Sequence, residues 1–236
     1  MTRISSTAAA TGGPRLLRWR RLLPLLTLSL LLLLLPGCTL GPGAPQPGTL
    51  NYEGPQTYTL KPGELLPGTD VRYVGQADGA ARFLIGGQQA DKQELDSLFW
   101  SGSPMPGVNL DLRLRVLWFT HSEVHVAGTV RVNLSGVEPR PGAVPDQAPL
   151  RYQVPVAYGL AAGATAPGAG LTYEGKAPEG ARFGGVEGYA FRQVGDSLRW
   201  EGYLRDRVAV RHVVRLVQFD EKTARLAGTV QLWITP

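Results

Sequence analysis

A shift of 100 residues, without a gap, lays the second half of this chain on the first. Tyr58, Leu60, Gly63, Pro67 and Gly68 meet Tyr158, Leu160, Gly163, Pro167 and Gly168, and Ala81-Arg82-Phe83 meets Ala181-Arg182-Phe183. Asp96-Ser97-Leu98-Phe99-Trp100 meets Asp196-Ser197-Leu198-Arg199-Trp200, and Ala127-Gly128-Thr129-Val130 recurs at 227–230. About a third of the positions from 67 to 134 are identical to their counterparts, which in an ungapped register means duplication of a unit the size of a small domain. Whatever fold one copy adopts, the other must adopt too.

The period inside each copy is two, the spacing of strands. Leu110, Leu112, Leu114 and Val116 alternate with Asp111, Arg113 and Arg115, and the run from Val124 to Leu134 alternates in the same way. The polar turns "THSE" and, in the second copy, "DEKT" join such runs into long hairpins with one face in a core. Shorter strands are predicted around 70–76, 80–86 and 96–102, with counterparts 100 residues later, and no segment carries a sustained helical period. The expectation is an all-β protein: a tandem of two small antiparallel β-barrels or β-sandwiches of about five strands each. Pro- and Gly-rich tracts set the boundaries, giving a first module over 51–136, a linker over 137–150 and a second module over 151–236.

Residues 1–37 read as a targeting segment. Arg3, Arg15, Arg18, Arg20 and Arg21 form a basic start without an acid, and a leucine-rich stretch from Leu22 to Leu35 is short for a permanent span, which needs about 20 residues. Leu35-Pro36-Gly37-Cys38 then resembles the lipobox of bacterial lipoproteins. The resemblance implies cleavage before Cys38, lipidation of that residue by a diacylglycerol and an added fatty acid such as palmitate, and export to the outer face of a bacterial membrane, at the cell membrane or the cell surface. Residues 38–50 then form a Pro/Gly-rich tether. Cys38 is the chain's single cysteine, so no intramolecular disulfide is available and folding rests on packing. Of 24 basic side chains five precede Cys38 and no acid does, leaving 19 basic and 19 acidic groups from Cys38 onward. The excess of positive charge belongs to the targeting segment and gives no support to nucleic-acid binding.

Gly195-Asp196-Ser197-Leu198 spells the signature of a family of serine hydrolases. Such an enzyme resembles an α/β domain with its serine near the start and an Asp-x-x-His near the end, whereas the residues three before His121, His125 and His212 are Trp118, Ser122 and Ala209. The first copy reads Leu95-Asp96-Ser97-Leu98, so Gly195 and Asp196 suit a turn that leads into a strand. A serine hydrolase is therefore the remote alternative, and the expectation is a protein that is not an enzyme. Three scattered histidines and isolated acids make no metal constellation, and no cofactor motif is present.

Two tryptophans break the repeat and are candidate ligand or interface residues. Trp118 has Gln218 as its counterpart and lies in the parity of the Leu110–Val116 stripe; Trp233 replaces Asn133 on a polar face, where it could meet the other module or a ligand. Trp100 and Trp200, at equivalent positions, are expected in the core. The charges kept in both copies are Arg82 and Arg182, Asp96 and Asp196, and Arg115 and Arg215; each aspartate is expected to accept from an arginine of its own module and so fix strand register, with a small anion pocket as the alternative. Taken together these features suggest a lipid-anchored envelope protein serving as a non-enzymatic binding or accessory module for a protein complex, or alternatively as a glycan or cell-wall binder. Its partners would be the membrane, through the lipid on Cys38, and a protein or glycan.

Overall fold

A computed structural model of the protein describes residues 48–236; Cys38 and the targeting segment lie outside them. The described chain is all-β and contains no helix. The first module consists of β1 (Thr49–Leu60), β2 (Arg72–Ala77), β3 (Ala80–Ile85), β4 (Gln88–Lys92), β5 (Ser97–Met105), β6 (Val108–Phe119) and β7 (Val124–Ser135). After a two-residue strand, β8 (Arg140–Pro141), the second repeats the plan with β9 (Leu150–Ala161), β10 (Thr172–Ala177), β11 (Gly180–Gly184), β12 (Phe191–Arg192), β13 (Ser197–Arg205), β14 (Val208–Phe219) and β15 (Thr223–Ile234). Each module thus has seven strands of its own rather than about five. The additions include the long strands β1 and β9, which carry Gly54-Pro55 and Pro155 and so lack a clean strand signature; they stand at sheet edges, where proline is tolerated.

Every pairing is antiparallel, and neither module closes into a barrel. In the first module a sheet of order β1-β7-β6-β5 is joined by a smaller sheet β2-β3-β4; in the second, β8-β13-β14-β15-β9 is joined by β10-β11-β12. The inward positions of the β6–β7 and β14–β15 hairpins supply the core, as their alternation requires, and the small sheets add Tyr73 and Phe83 in one module and Tyr173 and Phe183 in the other. Both aromatic pairs sit with ring centroids 5.4 Å apart. Full burial of side chains of this size contributes about 1.5–3 kcal/mol apiece.

The buried residues of both modules form one cluster. Contacts across the seam come in reciprocal pairs, as a pseudo-twofold relation requires: Gly68 approaches Leu150, while Gly168 approaches Leu50 and the Tyr52 hydroxyl. The phenols of Tyr52, Tyr58, Tyr152 and Tyr158 are drawn into this region, and desolvation pushes all four pKa values up.

The modules differ in how their main sheets are dressed. β8 pairs with the edge of β13 through Gly202 and Tyr203, and the chain must then cross the width of the sheet to reach β9 at the opposite edge. It crosses the outer face. A Cβ on Gly142 would stand 3.1 Å from the ring of outward-facing Tyr203, and the Asp146 carbonyl accepts a hydrogen bond from Arg151, which points outward on β9. On this covered face lie Ala209, fully buried, and Trp233, 8% exposed, with the Arg211 guanidinium 5.1 Å from the indole centroid. In the first module no described strand pairs with the free edge of β5, and Phe99, Asn109 and Arg113 on the outer face beside it are exposed.

Candidate binding surface

The open outer face of the first module is a grid whose rows follow from strand register. Phe99 of β5 stands opposite Arg113 of β6, which stands opposite Thr129 of β7 and then Pro55 of β1. The next row is Ser101, Asp111, Arg131 and Glu53, and the next is Asn109, Asn133 and Asn51. In the second module the matching positions hold Arg199 and Val213, then Glu201, Arg211, Gln231 and Gln153, then Ala209, Trp233 and Arg151. Ala209 and Trp233 replace two of the three asparagines on the side where the linker lies, and Arg151 replaces the third. Desolvation favours this direction of exchange in degree: a covered asparagine amide leaves more donor and acceptor capacity to satisfy than an indole, whose single donor, Trp233 Nε1, is buried without a hydrogen-bond partner among the described residues.

Several groups on the open face are held in place by one another. Asp111 accepts from Ser101 Oγ at 2.5 Å and from Asn133 Nδ2 at 3.0 Å, and Arg131 donates to Glu53 from Nε at 2.9 Å and from Nη2 at 2.6 Å. Arg113 is exposed and has no carboxylate partner among the described residues. Beside it Phe99 is 64% exposed. Phe99, Trp100, Ser101, Asp111, Leu112 and Arg113 line a shallow concavity of about 300 Å³.

Trp118 joins this face and not the core stripe that its parity suggests. A bulge between Val116 and Trp118 advances the chain by one residue, so Val116 points inward, Trp118 outward, and Phe119 back toward the core. The indole is 40% exposed and stacks on His125 with centroids 3.6 Å apart and planes 20° from parallel. His125 is in turn fixed by Thr59 and Glu123. Trp233, the other candidate, is 8% exposed on its own module's sheet, with Arg211 over its ring and the linker touching Tyr203 and Arg151 in the same row. Trp200 is buried as expected, whereas Trp100 is only half-buried: its Nε1 donates to Asp70 at 2.5 Å, and in the second copy Gly170 stands where Asp70 does.

The conserved charges do not pair as expected. Asp96 Oδ2 accepts from the Gln93 amide at 2.8 Å, and Asp196 Oδ2 from the Gln193 amide at 2.8 Å; each closes the turn that starts β5 or β13. Arg115 reaches the Leu95 carbonyl and Arg215 the Gly195 carbonyl, so each arginine and aspartate of a module brace the same turn through backbone rather than through one another. Arg82 instead forms a bidentate pair with Asp91, at 2.8 and 2.9 Å, and Arg182 pairs with Glu174 at 2.7 Å. The Arg82 guanidinium holds the Asp91 carboxyl below its ordinary range. Register comes from the hairpins themselves, whose hydrophobic alternation leaves no need for a charge pair.

Ser197 stands opposite Arg215 at the start of β13, and the three histidine rings are engaged elsewhere. His121 bonds Gln76, His125 bonds Thr59 and Glu123, and His212 is fully buried with Nε2 3.0 Å from the Gly168 carbonyl. Gly195 has φ +95°, and the equivalent Leu95 has φ +68°. The glycine of the hydrolase-like signature therefore serves a left-handed turn. Among the described residues no three of His, Cys, Asp and Glu are grouped to hold a metal ion.

Of the open face, sequence reasoning identified Trp118 and missed Phe99, Ser101, Asp111, Arg113 and Asn133. The available signal was a difference between the copies: Phe99/Arg199, Asp111/Arg211, Arg113/Val213 and Asn133/Trp233 are all departures from the repeat. No protein-family model, curated protein or solved structure matches the chain.

Proposed function

We propose that this protein is a non-catalytic binding module of the bacterial cell envelope, tethered to the outer face of a membrane through lipidated Cys38. Its first module presents the binding face and its second serves as the structural partner. One observation carries the reading: equivalent outer faces differ in cover, and the uncovered one holds the exposed aromatics, the unpaired arginine and the organised hydrogen-bonding groups. A tether of Pro and Gly between anchor and body would let that face sample its surroundings while remaining at the membrane.

A photo-crosslinker placed at Asn109 in cells, with a second at Arg225 on the other module as control, tests the reading. Specific adducts from position 109 and none from 225 are expected. Equal labelling from both, or none from either, would remove the basis for a dedicated face. Cys38→Ala, which should release the protein from membranes and block incorporation of labelled palmitate, tests the anchor separately.

A further inference from the structure

Building on the reading of the first module's outer face as a binding face, we propose that its ligand is an acidic glycan chain, with Phe99 and Trp118 as stacking platforms and Arg113 as the receptor for a sugar carboxylate. Three independent features lead there. The first is aromatic. Phe99 and Trp118 point outward on the same sheet at adjacent strands, separated along the strand direction by four residue steps, or roughly 14 Å. An extended polymer could cover both, and neither ring is needed where it stands to complete the core.

The second feature is hydroxyl recognition. A carboxylate offers about four acceptor sites. Asp111 uses two of them on Ser101 and Asn133, and as a lining residue of the concavity beside Phe99 it has acceptor capacity left for ligand hydroxyls. Exposed Asn109 and Asn51 continue the row with groups that both donate and accept. A concavity of about 300 Å³ is at the small end of the range for ligand sites and suits one sugar unit of a chain that runs on over the open sheet.

The third feature is charge. Arg131 is neutralised by Glu53, and in the second module Arg199 and Arg211 share Glu201. In the first module's rows Arg113 lacks a carboxylate among the described residues, and Arg151 in the second module's rows is engaged by the Asp146 carbonyl. A planar guanidinium left open next to a stacking platform matches a carboxylate carried on the stacked ring. With Arg115, which is held on the Leu95 carbonyl, β6 offers two exposed cations, too few for a nucleic acid backbone. An added protein strand is disfavoured as well, since the free edge of β5 contains Pro104, which has no amide donor, and a bulge between Gly102 and Met105.

Affinity electrophoresis of the full chain in detergent, through gels containing polygalacturonate or its uncharged methyl ester, tests the proposal. Retardation by both polymers, stronger with the acid form, is expected. Phe99→Ala and Trp118→Ala should each weaken both interactions, roughly tenfold. Arg113→Gln should abolish the preference for the acid form while leaving the weaker interaction with the ester. Arg225→Gln, at an exposed site of the second module, should change neither. No retardation by polygalacturonate, or retardation that Phe99→Ala and Arg113→Gln leave intact, overturns the glycan assignment. Protein adducts from position 109 together with no retardation would sink the glycan and preserve the binding face; the absence of both would sink the two together.

Discussion

Gly54 of β1 packs against Val154 of β9, its own counterpart 100 residues further on: a Cβ at Gly54 would stand 2.8 Å from Val154 Cγ1. Contact between a position and its own repeat places the pseudo-twofold relation of the modules at this point. One copy had to lose its side chain there, because two valines meeting on such an axis would overlap. The Gln56 side chain adds a hydrogen bond to the Gln153 carbonyl at 3.0 Å, again between β1 and β9.

Gly54→Val should therefore disrupt the seam and not the hairpins. Overpacking of this kind costs about 1–3 kcal/mol. Urea unfolding followed by circular dichroism is expected to show a lower midpoint, whereas Gly54→Ala, with a smaller overlap, should fall between it and the parent chain.

Leu95 adopts a left-handed backbone that its counterpart Gly195 adopts without strain, and its side chain is 66% exposed. Leu95→Gly relieves about 1–2 kcal/mol of backbone strain and gives back part of it to the unfolded chain's extra freedom. A net stabilisation of about 0.5–1 kcal/mol is expected in chemical denaturation, and Gly195→Leu should show the opposite sign.

Asp96 and Asp196 act as turn acceptors, which separates two substitutions. Asparagine keeps a side-chain oxygen for the Gln93 amide, so Asp96→Asn should leave thermal stability nearly unchanged; Asp96→Ala should lose about 1 kcal/mol. A large loss in the asparagine variant would restore an ionic role for this residue.

His212 supplies an acid sensitivity. Desolvation lowers its pKa to about 4, against the opposing effect of the hydrogen bond to the Gly168 carbonyl. Between pH 6.5 and 4 the unfolded chain takes up a proton that the folded chain refuses, so stability present above pH 6.5 declines as pH falls through this window, by up to about 3 kcal/mol. His212→Leu, which copies Leu112 of the first module, should flatten the stability profile over that range. Measurement of urea midpoints from pH 7.5 to 4 checks it, and an unchanged slope in the variant would assign the acid response to other groups.

The all-β class, the duplication and the two long hairpins were legible in the sequence because each depends on local alternation or on self-similarity, and both survive without knowledge of neighbours. Alternation places Leu110 and Val132 inward however the sheets are arranged. Its limit is seen at Trp118, where one extra residue in a bulge reverses the facing of all that follows, and at β1, where Gly54 and Pro55 obscure a strand that pairs with β7 and packs on β9 of the other module. At Asp96 the sequence shows a charge, which suggests an ion pair, but not the Gln93 amide three residues away that the carboxylate accepts from.

Repetition alone determined that the two modules share a plan, and departures from repetition marked where they do different things. Only the tertiary structure decided what those departures mean. Trp233 and Asn133 occupy equivalent places on β15 and β7, yet one is buried on the face that the linker from β8 to β9 touches at Tyr203 and Arg151, and the other is half-buried and donates to Asp111 on the open face. Burial is a property of what passes overhead, and the path of a Pro-rich connection across a sheet is fixed by which edges it must join, which is long-range information that no local pattern carries.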